Sequence, residues 1–380
     1  MTRPLVRVTP APESVLVALR AALDGSGPAI RVSAPGGALA TAEAVVPQRV
    51  AVVVETSGSS GPPKRVALAT SALLTSASAT LAELGGPGHW LLCLPTHYVA
   101  GLQVLVRSLT AESDPVVLPT GGFDPAAFLA LARTMPAGER RYSSLVPVQL
   151  ARLLDRAEQD PDDAEALRSF DALLIGGQST PATLRERAAA LGARIRLTYG
   201  SSETSGGCVY DGVPLHDVRM RVEDGQVLLG GPTLAEGYLD ADGALERSTA
   251  AFVELDGERW YRTGDAGSIV DGRLRVTGRL DRVIVSGGEK VSLDALESVL
   301  REEAVPDAVV VRRQDEQWGE VPVVVTVEEA LPLAVLRSLV AARLGRAAAP
   351  AAVLRVPALP LLASGKPDRR ALERLAAGAG

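Results

Sequence analysis

Several short stretches of this chain combine residue types that can handle phosphate, ribose or a metal ion. The first runs Thr56, Ser57, Gly58, Ser59, Ser60, Gly61, Pro62, Pro63, Lys64. Its glycines let the backbone turn amides inward, its hydroxyls add donors and Lys64 adds charge, so the loop can cradle a polyphosphate. Taken alone it reads equally well as a hairpin turn. It is not the phosphate loop of the common NTPases, which ends Gly-Lys-Ser/Thr and opens a helix. Here Lys64 follows two prolines and leads into a strand. The second stretch is Thr198, Tyr199, Gly200, Ser201, Ser202, Glu203, Thr204, at the end of an apolar run. Glu203 offers hard oxygens suited to Mg²⁺, or else a solvated carboxylate in a polar loop. In the third, Tyr261 to Asp265, a carboxylate after a glycine turn can accept two hydroxyls, as ribose recognition requires. A fourth, Gly278 to Lys290, contains Arg279, Asp281, Gly287 and Gly288 and lies where the composition changes. The fifth, Leu362 to Asp368, carries Lys366 in a Ser-Gly turn, where a lone lysine is usually just solvated.

Such groups need a scaffold, and the apolar pattern predicts one. A helix is expected over Glu13–Leu23, ended by Asp24 and Gly25. Arg49–Thr56 reads as a buried strand feeding the first Gly/Ser stretch, and Arg65–Thr70 as a second short strand. Thr70 is suited to cap a helix that stops at Gly85 and Gly86. Further strands are predicted at Trp90–Pro95, Pro115–Pro119, Ala172–Gly177 and Arg194–Gly200, with helices at Pro125–Thr134, Val148–Gln159 and Pro181–Leu191. This alternation predicts an α/β sheet covered by helices, with ligand loops at strand ends. After Ser205, short β runs alternate with turns, and Asp224-Gly225 and Asp271-Gly272 are hairpin signals. From Asp281 a smaller α+β pattern begins, with Ser292 capping a helix whose Leu293, Leu296, Val299 and Leu300 share one face.

Composition narrows the class. The chain has 380 residues, 47% of them hydrophobic, enough for two or three domains with sizeable cores. A formal charge of -6 leaves no basic footprint for nucleic acid. Cys93 and Cys208 are too few for a disulfide framework or a thiolate metal site. No run of about 18 apolar residues would span a bilayer, and the N-terminus lacks the apolar core of a signal peptide. A reducing cytoplasm is expected.

In order and spacing together, the stretches resemble the adenylate-forming superfamily of acyl-CoA synthetases, luciferases and peptide-synthetase adenylation domains. The first looks like the family's phosphate loop. The second resembles the motif that holds adenylate and Mg²⁺, and Gly231–Tyr238 the Gly-Tyr segment that follows it. The third, fourth and fifth are similar to the ribose-binding turn, the hinge and the mobile catalytic lysine. The resemblance runs from about residue 50 to 372. It implies a large N-terminal α/β domain with a β-rich subdomain over residues 1–280, and a small mobile α+β domain over 281–380 with its hinge at Asp281. It implies ATP or AMP contacts from Thr56, Ser57, Gly58, Ser59, Ser60, Gly61, Lys64, Gly177, Tyr199, Gly200, Ser201, Ser202, Asp265 and Arg279. Glu203 would hold the metal, Lys366 would be catalytic, and Gly287 and Gly288 would line the path of CoA. Three departures stand out. The region before the phosphate loop is short, so part of the N-terminal subdomain is expected to be trimmed. Ser202 stands where threonine is commoner. Gln178 follows Gly176-Gly177 where a small residue is more usual, which changes the acyl pocket.

Ser143–Leu154 and Leu94–Leu109 resemble, more closely, the 2-succinylbenzoate–CoA ligases of menaquinone biosynthesis. That likeness implies that His97 gates the acyl pocket and has a catalytic role, that Ser144 and Gln178 line the pocket, and that Arg107 faces a second carboxylate. Arg107 lies among Leu105, Val106 and Leu109, and a buried arginine needs an anion. A neighbouring Asp or Glu would serve as well as a substrate carboxylate. The implied activity is an ATP-dependent acid–thiol ligation through an acyl-AMP, with ATP, Mg²⁺ and CoA required. The alternatives are another aryl- or acyl-CoA ligase, a free-standing adenylation domain loading a carrier protein, and a catalytically silent adenylate-binding module. Expected partners are a small carboxylic acid, ATP and CoA, with no nucleic acid and no membrane, and a homodimer is the assembly to test.

Overall fold

The computed structural model describes residues 1–34, 44–56, 64–119, 121–240, 242–247, 249–327, 331–361 and 367–378. It divides into two compact units: Met1–Arg221 with Leu228–Arg262 and Asp271–Leu274, and Val222–Val227 with Thr263–Val270 and Arg275–Gly380.

The first unit holds two seven-stranded sheets. One follows the order Leu245–Glu246, Gly237–Leu239, Lys64–Ala69, Val50–Thr56, Ala29–Val32, Thr2–Val8, Ala44–Pro47. Its central Val50–Thr56 is buried from Val50 to Val54, which explains a run of valines without alternation. The other follows the order Val213–Pro214, Gly206–Tyr210, Ile195–Ser201, Ala172–Ile175, Arg141–Leu145, His89–Leu92, Val116–Val117. From Ile195–Ser201 to Val116–Val117 the strands are parallel, while Gly206–Tyr210 runs antiparallel to Ile195–Ser201. One face of that sheet packs Leu91, Leu145, Leu173 and Ile175 against the helices Pro125–Thr134, Pro147–Ala157, Pro161–Arg168 and Ala182–Ala190. The helices Thr70–Glu83 and Val99–Thr110 pack against each other, and Val99–Thr110 lies on His89–Leu92.

The second unit contains a sheet of order Glu289–Ser292, Val283–Ser286, Gly319–Thr326, Val309–Asp315, with Ala352–Arg355 parallel to Gly319–Thr326. Both faces are covered. Val310 and Val324 meet Leu293, Leu296 and Leu300 of the helix Leu293–Glu303, and Val309, Val311, Val323 and Val325 meet Leu372 and Ala376 of the last helix, Arg369–Gly378. Ser292 caps its helix as expected, accepting from Ala295 N at 3.2 Å. Thr70 does not. The helix begins at Thr70 with Ala69 as the extended cap residue and no side-chain cap bond, so the hydroxyl sits one position inside the helix. The helix Val99–Thr110 and the strands Thr2–Val8, Ala29–Val32 and Ala44–Pro47 were not expected from the sequence pattern.

Candidate active site

In the first unit, Thr56 and Lys64 are paired residues at the end of an antiparallel hairpin. The segment between them, with Ser57, Gly58, Ser59, Ser60 and Gly61, lies outside the described residues. On the other side of Lys64–Ala69 runs Gly237–Leu239, with Tyr238 opposite Val66. The Lys64 ammonium stands 5.0 Å from the Tyr238 ring centroid. The Tyr238 hydroxyl donates to Glu203 Oε1 at 2.9 Å. Burial, and then the Glu203 carboxylate, raise the Tyr238 phenol, so it stays a protonated donor.

The turn carrying Glu203 is fixed from several sides. Ser202–Thr204 form a short 3₁₀ turn, entered by Ser201 N donating to Thr204 Oγ1 at 2.9 Å. Ser205 leaves it in the left-handed region at φ 55, and Gln103 and Ser76 both donate to its carbonyl. Ala235 N donates to the Glu203 carbonyl at 2.8 Å. Gly200 has to be glycine, because a Cβ there would lie 2.2 Å from the Gly206 carbonyl oxygen. Glu203 is left 7% exposed, with no ion pair among the described residues. Also among the described residues, no group of three His, Cys, Asp or Glu could hold a metal by itself. Mg²⁺ fits nonetheless, since it keeps waters and takes phosphate oxygens alongside one or two carboxylates.

The other expected contacts of this unit gather at the carboxyl ends of the parallel strands, where α/β sheets bind ligands. Ser144 is in Arg141–Leu145, Gly177 and Gln178 follow Ala172–Ile175, and Tyr199, Gly200 and Ser201 end Ile195–Ser201. Gly177 has φ 81, and Gln178 is exposed. His97 follows His89–Leu92; it is partly buried, with its Nδ1 buried and lacking a partner among the described residues. Burial lowers its pKa, so the ring is neutral at pH 7. The helix after it begins close in, since a Cβ on Gly101 would lie 2.3 Å from the Pro95 carbonyl oxygen.

Arg107, on that helix, is 3% exposed. Its guanidinium carbon lies 5.0 Å from the Trp90 ring centroid, and its Nε has no hydrogen-bond partner among the described residues. Burial lowers its pKa, while Tyr210 works the other way. No carboxylate among the described residues pairs with it. Gln103, one turn earlier, has a buried Oε1 that likewise lacks a partner. The sequence reading missed Tyr238's bond to Glu203, and it missed Trp90, Gln103 and Tyr210 around the arginine. The Gly-Tyr segment had signalled Tyr238 without giving it a role.

In the second unit, Arg279 holds two expected residues. It donates to Asp265 Oδ1 at 3.2 Å and to Asp281 Oδ1 at 3.3 Å, as well as to the Thr263 carbonyl at 3.0 Å. Burial opposes its charge, but Asp265 and Asp281 outweigh that and raise its pKa. Asp281 sits in the 3₁₀ turn Leu280–Arg282, and Arg312 donates to its carbonyl. Gly287 and Gly288 make the turn between Val283–Ser286 and Glu289–Ser292 with φ 58 and 85, a pair of positive values that favours glycine. Gly287 N donates to the Trp318 carbonyl at 2.9 Å. Lys366 lies outside the described residues.

The chain as a whole is similar to known proteins of one family. The AMP-binding enzyme family matches residues 6–239, and the AMP-binding enzyme C-terminal domain matches 296–366. The match starts well ahead of about residue 50, where the motif resemblance began. A Mycobacterium tuberculosis protein named "Probable 2-succinylbenzoate--CoA ligase" is 42% identical, covering 96% of this chain and 95% of its own length. An E. coli MenE variant solved with bound OSB-AMS superposes with TM-score 0.74 at 25% identity, covering 100% of this chain and 88% of that one. A Bacillus subtilis o-succinylbenzoate coenzyme A synthetase, solved with ATP and magnesium ion, shares the fold at TM-score 0.76 and 22% identity, over 96% of this chain and 88% of that one.

Proposed function

The chain belongs to the AMP-binding enzyme family, and on that footing we propose that it is an ATP-dependent ligase making 2-succinylbenzoyl-CoA for menaquinone biosynthesis. One observation carries the substrate: Arg107 is a buried cation with no carboxylate partner among the described residues. Burying an unpaired guanidinium is costly, and a dicarboxylic acid supplies the missing anion when it binds. Only one carboxylate of such an acid reacts. The other can take the paired donors of Arg107, directly or through water.

The reaction runs in two steps. A substrate carboxylate oxygen bonds to the α-phosphorus of ATP as the bond to the leaving pyrophosphate breaks. The CoA thiol then attacks the acyl carbon, loses its proton, and AMP leaves. Lys64, Thr56 and the 57–61 segment bind phosphate. Gly177, Tyr199, Gly200, Ser201 and Ser202 hold the adenylate. Glu203 would hold Mg²⁺, which would supply neutralising charge to the phosphates. Asp265 takes the ribose hydroxyls and Arg279 orients it. Lys366 serves the first step. The chain pivots at Asp281 between the steps, dividing residues 1–280 from a mobile 281–380, and Gly287-Gly288 borders the thiol's path. No side-chain nucleophile is needed, so catalysis is positioning and electrostatics. His97 closes the acyl pocket as a neutral ring, and Ser144 and Gln178 shape it. Among the described residues, no helix is long and apolar enough to cross a membrane. Cytoplasmic residence and a homodimer complete the reading, and sedimentation velocity checks the latter.

The decisive experiment compares Arg107→Ala with wild type on 2-succinylbenzoate and on an analogue lacking the ring carboxylate. The dicarboxylate should lose about 1.5–3 kcal/mol of apparent binding, seen in KM, and the analogue much less. Equal losses would make Arg107 a structural residue. A wild-type preference for simple fatty or benzoic acids would remove the substrate assignment and leave the adenylating chemistry standing.

A further inference from the structure

We propose that Gln103 is a positioning residue for Glu203, holding the turn that carries it in a backbone conformation the turn would not keep unaided. The proposal rests on the reading above, in which Glu203 takes Mg²⁺ for the adenylation step. All of the residues concerned lie within the first unit.

Ser205 is the weak point of the turn. It is 0% exposed and has φ 55, a left-handed conformation that a residue with a Cβ adopts at a cost. Such a residue persists only where its surroundings over-determine it. Here they do so through three side-chain hydrogen bonds. The Ser205 hydroxyl donates to the Thr233 carbonyl at 2.8 Å. The Ser205 carbonyl accepts from Gln103 Nε2 at 2.8 Å and from the Ser76 hydroxyl at 3.2 Å. Ser76 comes from the helix Thr70–Glu83 and Gln103 from the helix Val99–Thr110. Both donors are fully buried, so bulk water is not at hand to replace either bond.

Gln103 is the shorter of the two tethers, and its presence needs a reason. Its neighbours Leu102, Val104, Leu105 and Val106 are all buried and apolar. Its Oε1 is buried with no partner among the described residues, a cost that an apolar side chain of the same length would avoid. What the amide supplies, and such a side chain cannot, is the Nε2 donor. The side chain is also packed into place, since a Cβ on Gly206 would lie 3.3 Å from Gln103 Cγ. The backbone it holds leads directly to the carboxylate. Glu203 stands two residues before Ser205, and its carbonyl accepts from Ala235 N at 2.8 Å. Arg107 lies one turn further along the same helix, so one element carries both the cation read for the acid and the tether for the turn.

The test is Gln103→Met, which keeps the length and removes the donor. Two measurements read it: amide hydrogen exchange at Ala235 in the protein without nucleotide or metal, and the Mg²⁺ dependence of pyrophosphate–ATP exchange. Ala235 should exchange about tenfold faster, because its acceptor sits on the loosened turn. Leu173, whose amide donates to the Arg194 carbonyl at 2.8 Å, should keep its rate. Apparent Mg²⁺ affinity should weaken about tenfold, as when a residue that orients a metal ligand is removed. The adenylation kcat should fall by about as much, with KM for 2-succinylbenzoate moved less than about threefold, the opposite split from Arg107→Ala. Ser76→Ala removes the longer bond and should show the same changes at smaller size. Should Gln103→Met fail to fold, Gln103→Asn keeps an amide too short to reach the carbonyl and should show the same losses. Unchanged exchange at Ala235, or faster exchange with Mg²⁺ affinity and kcat unaltered, would overturn the tether alone. A Ser76→Ala loss as large as that of Gln103→Met would overturn Gln103 as the main tether. A Glu203→Gln protein with the wild-type Mg²⁺ dependence would remove the metal reading of Glu203, and the catalytic purpose of the tether with it.

Discussion

Two buried glutamates of this chain are held in opposite ways. Glu297 receives Arg282, Arg301, Arg369 and the Val310 amide. Glu203, buried almost as deeply, receives one hydroxyl, from Tyr238, among the described residues. An ionised carboxylate has about four acceptor sites. Glu297 has them filled by its own chain and can only hold structure together. Glu203 keeps acceptor capacity in hand, which is what a ligand for a cation requires. Incomplete satisfaction by the chain fits the cation-binding role proposed for Glu203.

The comparison can be broken at either end. The largest effect expected is on stability. Glu297→Ala strands Arg282 and Arg369 and should cost about 3–5 kcal/mol in urea denaturation followed by circular dichroism. A loss under about 1 kcal/mol would make the cluster an ordinary surface network. Glu203→Gln should do the reverse. Adenylation should slow on the order of 100-fold with a flattened Mg²⁺ dependence. Stability should hold or rise, because a buried charge without a cationic partner is relieved. A protein destabilised with its Mg²⁺ titration unchanged would assign Glu203 to structure. Tyr238→Phe is milder. It removes the hydroxyl that orients Glu203 and should weaken apparent Mg²⁺ affinity about tenfold, so an unaltered titration would show that the bond orients nothing.

The smallest effect is on the acid limb of stability. Burial alone would raise the Glu297 carboxyl, but Arg369, Arg301 and Arg282 outweigh it and hold the carboxyl below its ordinary value. A folded pKa below the unfolded one contributes stability that is fully present above the unfolded value, about 4.3, and is lost as pH falls through the folded one. Wild type should therefore lose stability below about pH 4, and Glu297→Gln should lose less over that range. Parallel acid limbs would show that other carboxylates dominate.

Much of this was legible locally. Asp224-Gly225 and Asp271-Gly272 take φ 50 and 78, and 50 and 72, as a two-residue hairpin turn demands. The helix Pro125–Thr134 announced itself by proline at its first position after Asp124, whose side chain accepts from Ala126 and Ala127. The helix Val99–Thr110 was not legible, since every residue from Gly101 to Ser108 is buried and no polar face marks the period. Nor were the N-terminal strands, whose pairing of Leu5 with Ala29 is made across a helix. The motif likeness singled out Glu203 and Asp265, but not what orients them. Tyr238 is 35 residues from Glu203, and Arg369 is 72 from Glu297, separations at which only the fold decides who meets.

The Gly287-Gly288 turn lies against Trp318, which a Cβ on Gly287 would meet at 2.8 Å. The chain has three tryptophans. Trp90 is 0% exposed and Trp260 6%, whereas Trp318 is 52% exposed. A water-borne collisional quencher such as iodide therefore reaches chiefly one indole, and that indole reports on the turn. Anything seated over Gly287 and Gly288 will shield it, so the unlabelled protein carries its own optical probe of that surface.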